Sequence, residues 1–221
     1  MNQLLGACLV VLAAAGAQQR QAGIHVQLPV TKNAAPAPGA DEAGALVVSV
    51  TEDGRVYVGV TPIGPADLSE TLKRVLSSEK GKNLYLKGDA RTAYGKVADV
   101  LENLPAAGFG KASMLTSQQE SPEPGKLVRP KALEVLLGAR APAGVESAGI
   151  ELQSEQGRPA VKIDNERVPW GALAGALRGA LSAEKAAVVR ADAAVPFGDV
   201  VEVIDACRST GATVVLHVSA P

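Results

Sequence analysis

Short apolar runs in the first half of the chain predict strands that alternate with helices. Residues 46–50 and 56–60 are valine-rich and flank an Asp-Gly pair, a pattern typical of a β-hairpin. Leucines at helical spacing follow Pro65, and proline is favoured in a first helical turn. A strand at 83–87, a helix from about 92 to 104 and a strand at 111–116 complete the order ββαβαβ.

The second half of the chain repeats the first. Residues 87–97 recur as residues 190–200 at a constant offset, with Asp89 on Asp192 and Tyr94 on Phe197. Such self-similarity indicates a tandem duplication. We therefore predict an α+β fold of two tandem ββαβαβ domains, each with a mostly antiparallel or mixed sheet and two helices on one face. The strands of the second copy are predicted near 150–154, 160–164, 187–190 and 213–218, and its helices near 169–183 and 196–209.

Changes in composition indicate the domain boundaries. Residues 4–17 are uncharged and end in an Ala-Gly-Ala pattern, which predicts an export signal at 1–17; a short membrane anchor and a plain buried segment are the alternatives. Residues 18–44 are predicted to hold a short strand near 24–29 and then a flexible Ala/Pro tether. The copies are expected at 45–118 and 150–221, and the linker between them, 119–149, contains an apolar helix or strand at 131–137 that belongs to either copy.

Composition narrows the classes of function. Basic and acidic residues number 22 and 23, and this balance argues against nonspecific nucleic-acid binding. Two cysteines and two histidines are too few for a Cys/His zinc site. The chain has no phosphate-binding loop, nucleophile elbow or HExxH motif. We therefore expect a protein without a cofactor or metal, and not an enzyme.

Five segments of the first copy carry a family resemblance. They are QLPV at 27–30, VVSVTEDGRVYV at 47–58, LYLKGDA at 84–90, YGKVADVLENLPAAGF at 94–109 and ASMLT at 112–116. In this order they resemble the periplasmic domain of the ExbD/TolR family over 24–118, and more weakly over 150–218. The resemblance implies an inner-membrane dimer that works with an ExbB/TolQ-like motor subunit and couples proton flow to uptake or envelope tethering.

One departure limits that resemblance. The family places a membrane helix with a proton-coupling aspartate before the QLP segment, whereas residues 4–17 contain no ionisable side chain. Ionisable groups within membrane helices are costly and normally functional. Proton translocation is therefore not carried over by the resemblance.

Three functional hypotheses remain. The first is a non-enzymatic, exported accessory protein of a TonB/Tol-type transport system, which binds an ExbB/TolQ-like motor subunit, a TonB/TolA-like protein or peptidoglycan in the periplasm. Its two copies would form a pseudo-dimer within the chain in place of the family's homodimer. The second is a membrane-anchored subunit driven by the proton-motive force, with a misannotated N-terminus. The third is a periplasmic glycan-binding module.

Several side chains are candidate contacts, each with a structural alternative. Asp89 and Asp192 either meet a partner or stabilise backbone amides at a helix start. Tyr94 and Phe197 either meet a partner or pack helix on sheet, and Trp170 is either an interface anchor or a cap on the core. The candidate contacts for an anionic ligand are Lys82, Lys87, Arg91 and Lys96, and a solvated basic face is the structural alternative that such a charge cluster more often represents.

The glycines carry two further predictions. Gly95, Gly198, Gly108 and Gly211 are expected to be close-packing or helix-ending residues. The glycine-rich helix near 170–177 is expected to lie against another backbone.

Overall fold

The structure is a computed structural model that describes residues 24–78, 83–118 and 130–218. Within these ranges the chain forms one mixed sheet of thirteen strands with four α-helices, so the α+β class is confirmed. The elements up to the end of the first copy are β1 (Val30–Thr31), β2 (Ala35–Pro36), β3 (Leu46–Val50), β4 (Val56–Val58), β5 (Thr61–Ile63), α1 (Leu68–Ser78), β6 (Leu84–Gly88), α2 (Tyr94–Ala106) and β7 (Lys111–Gln118). Those that follow are β8 (Lys131–Gly138), β9 (Ser147–Gln153), β10 (Ala160–Ile163), β11 (Glu166–Val168), α3 (Leu173–Ala180), β12 (Ala186–Ala191), α4 (Phe197–Arg208) and β13 (Thr213–His217).

Each copy has one strand more than the predicted order. In the first copy the run expected at 56–60 ends at Val58, and Gly59, with a φ of 61°, lets the chain turn back into β5. In the second copy Asp164 and Asn165 both have positive φ between β10 and β11. Two such residues in a two-residue loop match the twist of antiparallel strands. The third strand of each copy is therefore a product of local turn chemistry.

The two copies share a single sheet. The strand order is β11-β10-β9-β12-β13-β8-β7-β6-β3-β4-β5, with β1 beside β7 and β2 beside β8. β8 pairs antiparallel with β7 of the first copy and parallel with β13 of the second. The apolar segment expected at 131–137 is thus a strand, and it belongs to both copies.

All four helices contribute to one contiguous core on one face of the sheet. Leu86, Leu101, Phe197 and Ile204, two residues from each copy, are among the largest fully buried side chains in it. The chain has few aromatic residues, so this core is built mainly from aliphatic side chains. The helix-bearing face therefore joins the copies through their shared interior.

The segment predicted as a flexible tether packs against the sheet. Within residues 31–44 the chain forms β2 and a 3-10 turn at Pro38–Asp41. Ala37 and Ala40 are buried against Val47, Tyr85 and Leu115 on the sheet face opposite the helices. Alanine and proline side chains, which suit a flexible linker, here cover a sheet.

The prediction for the glycine-rich helix is wrong. In α3 a Cβ atom added at Gly175 or Gly179 would meet nothing within 4 Å, and both residues are exposed. By contrast, Gly108 and Gly211 have φ of 94° and 81° just beyond α2 and α4, which confirms them as helix-ending residues.

Three predicted features lie outside the described residues: the export signal at 1–17, the first part of the linker, at 119–129, and Lys82. Among the described residues, no helix has the length and apolar character needed to cross a membrane.

Candidate functional site

The two copies meet where α2 and α4 begin, at residues 90–95 and 193–198, which form the inter-copy junction. The backbone N–H of Tyr94 donates to the Val195 carbonyl at 2.7 Å, and the N–H of Phe197 donates to the Thr92 carbonyl at 2.8 Å. Tyr94 and Phe197 are repeat equivalents, as are Thr92 and Val195. The two bonds are therefore mates across a pseudo-twofold axis.

A second pair of mated bonds flanks the first. The N–H of Gly95 donates to the Ala193 carbonyl at 2.9 Å, and the N–H of Gly198 donates to the Ala90 carbonyl at 2.8 Å. A Cβ on Gly95 would lie 2.9 Å from the Ala193 Cβ, and one on Gly198 would lie 3.0 Å from the Ala90 oxygen. The close-packing role predicted for these glycines is confirmed, and the contact has the reciprocal form of an isologous dimer interface.

Tyr94 and Phe197 are buried at this junction. Phe197 is fully buried, and its ring lies so near Gly88 that a Cβ there would be 2.5 Å from a ring carbon. Tyr94 is 3% exposed, and its hydroxyl has no hydrogen-bond partner among the described residues. Burial raises the pKa of this phenol well above its usual range. Both rings are therefore packed in the interior where the two copies meet.

Asp89 and Asp192 differ although they are repeat equivalents. Asp89 is buried and accepts hydrogen bonds from the backbone N–H of Gln27 at 3.0 Å and from Arg91 Nε at 2.9 Å. The Arg91 side-chain hydrogen bond is the main cause that lowers the pKa of Asp89 to about 2. Asp192 is exposed and accepts from the backbone N–H of Ser154 at 2.9 Å. Each carboxylate thus accepts a hydrogen bond from a backbone amide of a distant segment, not from the helix start named in the structural alternative.

The predicted basic face is not a set of free cations. Lys87 is 3% exposed, and its surroundings lower the pKa of its ammonium group, chiefly by burial. Arg91 is half-exposed but forms ion pairs with Asp89 and with Glu52 at 2.9 Å. Lys96 is exposed, and Lys82 lies outside the described residues. The structure therefore leaves Lys96 as the exposed lysine of this predicted set among the described residues.

A groove of about 570 Å³ opens between the N-terminal segment and the helices of the second copy. Val30, Trp170, Leu173 and Ala174 provide apolar lining, and Glu202 provides a carboxylate. Val30 is 55% exposed although it is aliphatic. β1, which forms one wall, pairs with β7 and with no other described strand, so its second edge is open. The groove thus combines an open strand edge, apolar surface and an acidic side chain.

Trp170 lines this groove and is itself fixed by two contacts. Its indole Nε1 donates to the Pro159 carbonyl at 2.7 Å, and the Arg158 guanidinium lies 3.6 Å from the centroid of its ring. Arg158 in turn forms ion pairs with Glu202 and Asp199 on α4. Burial is the main cause that raises the pKa of Asp199. Trp170 was predicted from the sequence, but its stacking partner Arg158 was not.

Asp205 is a buried carboxylate at the groove that was not among the residues predicted from the sequence. It is buried on α4 and accepts hydrogen bonds from the backbone N–H groups of Lys32 at 3.0 Å and Asn33 at 2.8 Å. The Asn33 side chain also donates to its carboxylate at 3.2 Å. A signal was available, since Asp205 follows Val201 by four residues and so places a charge on the apolar face of α4.

Comparison with known proteins agrees with the repeat. The family model described as biopolymer transport protein ExbD/TolR matches the chain twice, over residues 4–119 and 117–220. The chain is 29% identical to the biopolymer transport protein ExbD of Pseudomonas putida over 108 residues, which cover 48% of this chain and 74% of that protein. It is 26% identical to the biopolymer transport protein ExbD of Pseudomonas aeruginosa over 95 residues, or 43% of this chain and 69% of that protein. The two matches fit two tandem copies, and the chain belongs to the ExbD/TolR family.

Proposed function

We propose that this protein is a non-enzymatic component of an envelope transport system and acts as an internal pseudo-dimer that binds a partner protein in the groove. Membership of the ExbD/TolR family supports the setting, because proteins of this family are transport-system components. The proposal extends the family assignment by giving the two copies, at 45–118 and 150–221, the places that two chains take in a homodimer. The ββαβαβ unit would then be the repeated module, with a short strand added in each copy.

One observation carries the pseudo-dimer: the four reciprocal hydrogen bonds of the inter-copy junction. An isologous interface uses the same surface of both partners, so a second chain has no access to a surface that the other copy occupies. The chain should therefore be a monomer.

Size-exclusion chromatography with light scattering on the full chain tests this point, with an expected mass near 22.5 kDa. The matched variant is Gly95→Val, which disturbs the junction because a Cβ at Gly95 has no room. A stable homodimer that this variant dissociates would show that the same surfaces join two chains, and would overturn the pseudo-dimer.

The groove is the proposed partner surface. An open strand edge can pair with an extended polypeptide, and apolar pockets beside it select side chains. Trp170 supplies the kind of aromatic anchor that dominates binding energy at protein interfaces. The partner would be an ExbB/TolQ-like motor subunit or a TonB/TolA-like protein, in a periplasmic setting.

Photo-crosslinking in cell envelopes tests the surface. A crosslinker at Ala174, which is exposed and lines the groove, should capture an envelope protein, and Trp170→Ala should reduce the yield about tenfold or more, as expected of an anchor residue. A crosslinker at Gly179, exposed on the same helix but not among the groove residues, is the control. Equal capture from both positions, or none from Ala174, would remove the groove from the proposal.

Peptidoglycan binding through the basic face of the first copy has less support. Lys87 is buried and Arg91 is paired with two carboxylates, so little of that face is available. Retention on purified peptidoglycan should be unchanged by Lys96→Glu. A loss of retention in that variant would restore the glycan-binding alternative.

The membrane-anchored alternative differs in the fate of residues 1–17. Fractionation with N-terminal sequencing decides it. The export proposal expects a mature chain that starts at Gln18 in the soluble fraction, and a full-length chain in the membrane fraction would favour the anchor.

A further inference from the structure

Residues 27–41 form a strap that links the two copies and then crosses the back of the sheet. Its β1 pairs with the end of β7, Val30 with Ser117, and its β2 pairs with the start of β8, Ala35 with Ala132. Each of these ladders is two residues long. Little of the strap is therefore held by strand pairing.

Two carboxylates, one from each copy, hold the strap by its backbone. Asp89 of the first copy accepts the N–H of Gln27, and Asp205 of the second copy accepts the N–H groups of Lys32 and Asn33. The anchors differ in strength. Asp89 is also fixed by two hydrogen bonds from the Arg91 guanidinium, whereas among the described residues the Asp205 carboxylate accepts hydrogen bonds from the strap alone.

The strap makes few favourable contacts with the sheet beneath it. Its buried apolar side chains on this face are alanines, Ala37 and Ala40, which offer little surface. The Oδ1 atom of Asp41 on the strap and the hydroxyl of Ser49 on the sheet are buried without a hydrogen-bond partner among the described residues. Buried polar atoms without partners are costly, and segments with few apolar contacts open most easily. On this face of the sheet the strap is thus held by few apolar contacts.

The strap also covers a buried charge. Lys87 lies two positions after Tyr85 on β6, so both side chains face the same side of the sheet. Ala37 and Ala40 pack on Tyr85 on this side. Lys87 is 3% exposed, and its ammonium group interacts electrostatically with Asp41 of the strap. The accessibility of Lys87 therefore reports whether the strap is in place.

We propose that residues 30–41 open as a unit, with Asp205 as the releasable latch, while Gln27 stays bound to Asp89. The chain turns at Gly44, whose φ is 88°, and a glycine allows backbone rotation that other residues resist. Opening exposes Lys87 and removes one wall of the groove. The consequence for partner binding rests on the function proposed above; the opening itself does not.

Amine labelling of the full chain tests the opening without any partner. Under native conditions Lys87 should react more slowly than exposed Lys96, by about tenfold or more, since it reacts only through opened states. Asp205→Asn should raise the Lys87 rate by roughly tenfold, because hydrogen bonds to a charged acceptor are the strong ones. Lys96 should not change. Glu102→Gln, at the repeat-equivalent position on α2, is the matched control and should leave both rates unchanged.

Hydrogen exchange separates local opening from general unfolding. In Asp205→Asn the amides of Lys32 and Asn33 should exchange faster, while those of Val188 and Val189 in β12 keep their protection. An unchanged Lys87 rate would overturn the latch. A Lys87 rate that rises together with exchange in β12 would show global unfolding, and would overturn the strap as a separate unit. Asn33→Ala, which removes the side-chain contact alone, should give a smaller effect in the same direction.

Discussion

The two copies have the same order of elements but different surroundings. In the second copy, β13 has β12 on one side and β8 on the other. In the first copy, the outer edge of β7 is divided: residues 111–116 pair with β8, and residues 117–118 pair with β1. One strand, β8, thus occupies the centre of a sheet built from two similar halves. A symmetric repeat becomes asymmetric because the centre holds a single strand.

The asymmetry explains why equivalent acidic residues behave differently. Asp89 anchors the strap, whereas Asp192 is exposed and binds a loop of its own copy. Asp205 binds the strap, whereas no backbone N–H among the described residues donates to the carboxylate of its equivalent, Glu102. The chain has one N-terminal strap, so each anchoring task falls to one copy.

The largest effect is expected when a large side chain is removed from the core that the two copies share at the junction. Phe197→Ala should lower the free energy of unfolding by about 3–5 kcal/mol, because it removes a fully buried ring and leaves a cavity. Urea denaturation measures this value. The control Val60→Ala, at a 72% exposed residue, should stay within about 0.5 kcal/mol. A loss below about 1 kcal/mol for Phe197→Ala would mean that the ring does not join the copies as described.

The next effect compares two helix glycines. Gly95→Val should cost about 1–3 kcal/mol, because its Cβ would press on Ala193 across the junction. Gly175→Val, on the exposed face of α3, should change stability by less than about 0.5 kcal/mol. Thermal and urea unfolding of both variants check this pair. Equal losses would contradict the inter-copy contact.

The next largest difference in stability is expected between substitutions of the repeat-equivalent aspartates, Asp89 and Asp192. Asp89→Asn should cost about 1–2 kcal/mol, because buried donors lose a charged acceptor, and Asp192→Asn less than about 0.5 kcal/mol. The pKa of Asp89 is lowered from 3.8 to about 2, so its carboxylate stabilises the fold above about pH 4. That contribution is lost as the pH falls from about 4 towards 2. Unfolding measured across this range should show the wild type and Asp89→Asn converging, and a constant difference would contradict the anchor.

The smallest effect is expected for a substitution that makes the first copy more like the second. Tyr94→Phe removes a buried hydroxyl that has no partner, and gives copy one the phenylalanine found at position 197. Stability should rise by about 1 kcal/mol, because the cost of an unpaired buried donor disappears. Urea denaturation can resolve this gain. A loss of similar size would reveal a hydrogen bond to the hydroxyl.

Local patterns predicted much of the secondary structure and one part of the site. The helix expected at about 92–104 is observed as α2 (Tyr94–Ala106), and Gly95 and Gly198 have the close-packing role that their matched positions indicated. The third strands were missed because their turns depend on Gly59 and on Asp164-Asn165, and the predicted strands at 56–60 and 160–164 had included Gly59 and Asp164. The strap was missed because alanine and proline look alike in a flexible linker and in a thin covering segment.

The sequence by itself determined the repeat, the segments that form the four helices, the aliphatic character of the core and the family. These features depend on periodicity and on residue identity along the chain. The tertiary structure alone decided that the two sheets merge through β8, that the strap is held by one carboxylate from each copy, and that Lys87 is buried beneath it. The physical reason is that these contacts join segments far apart in the chain. Asn33 and Asp205, for example, are 172 positions apart, and no local pattern records which distant backbone a buried carboxylate will bind.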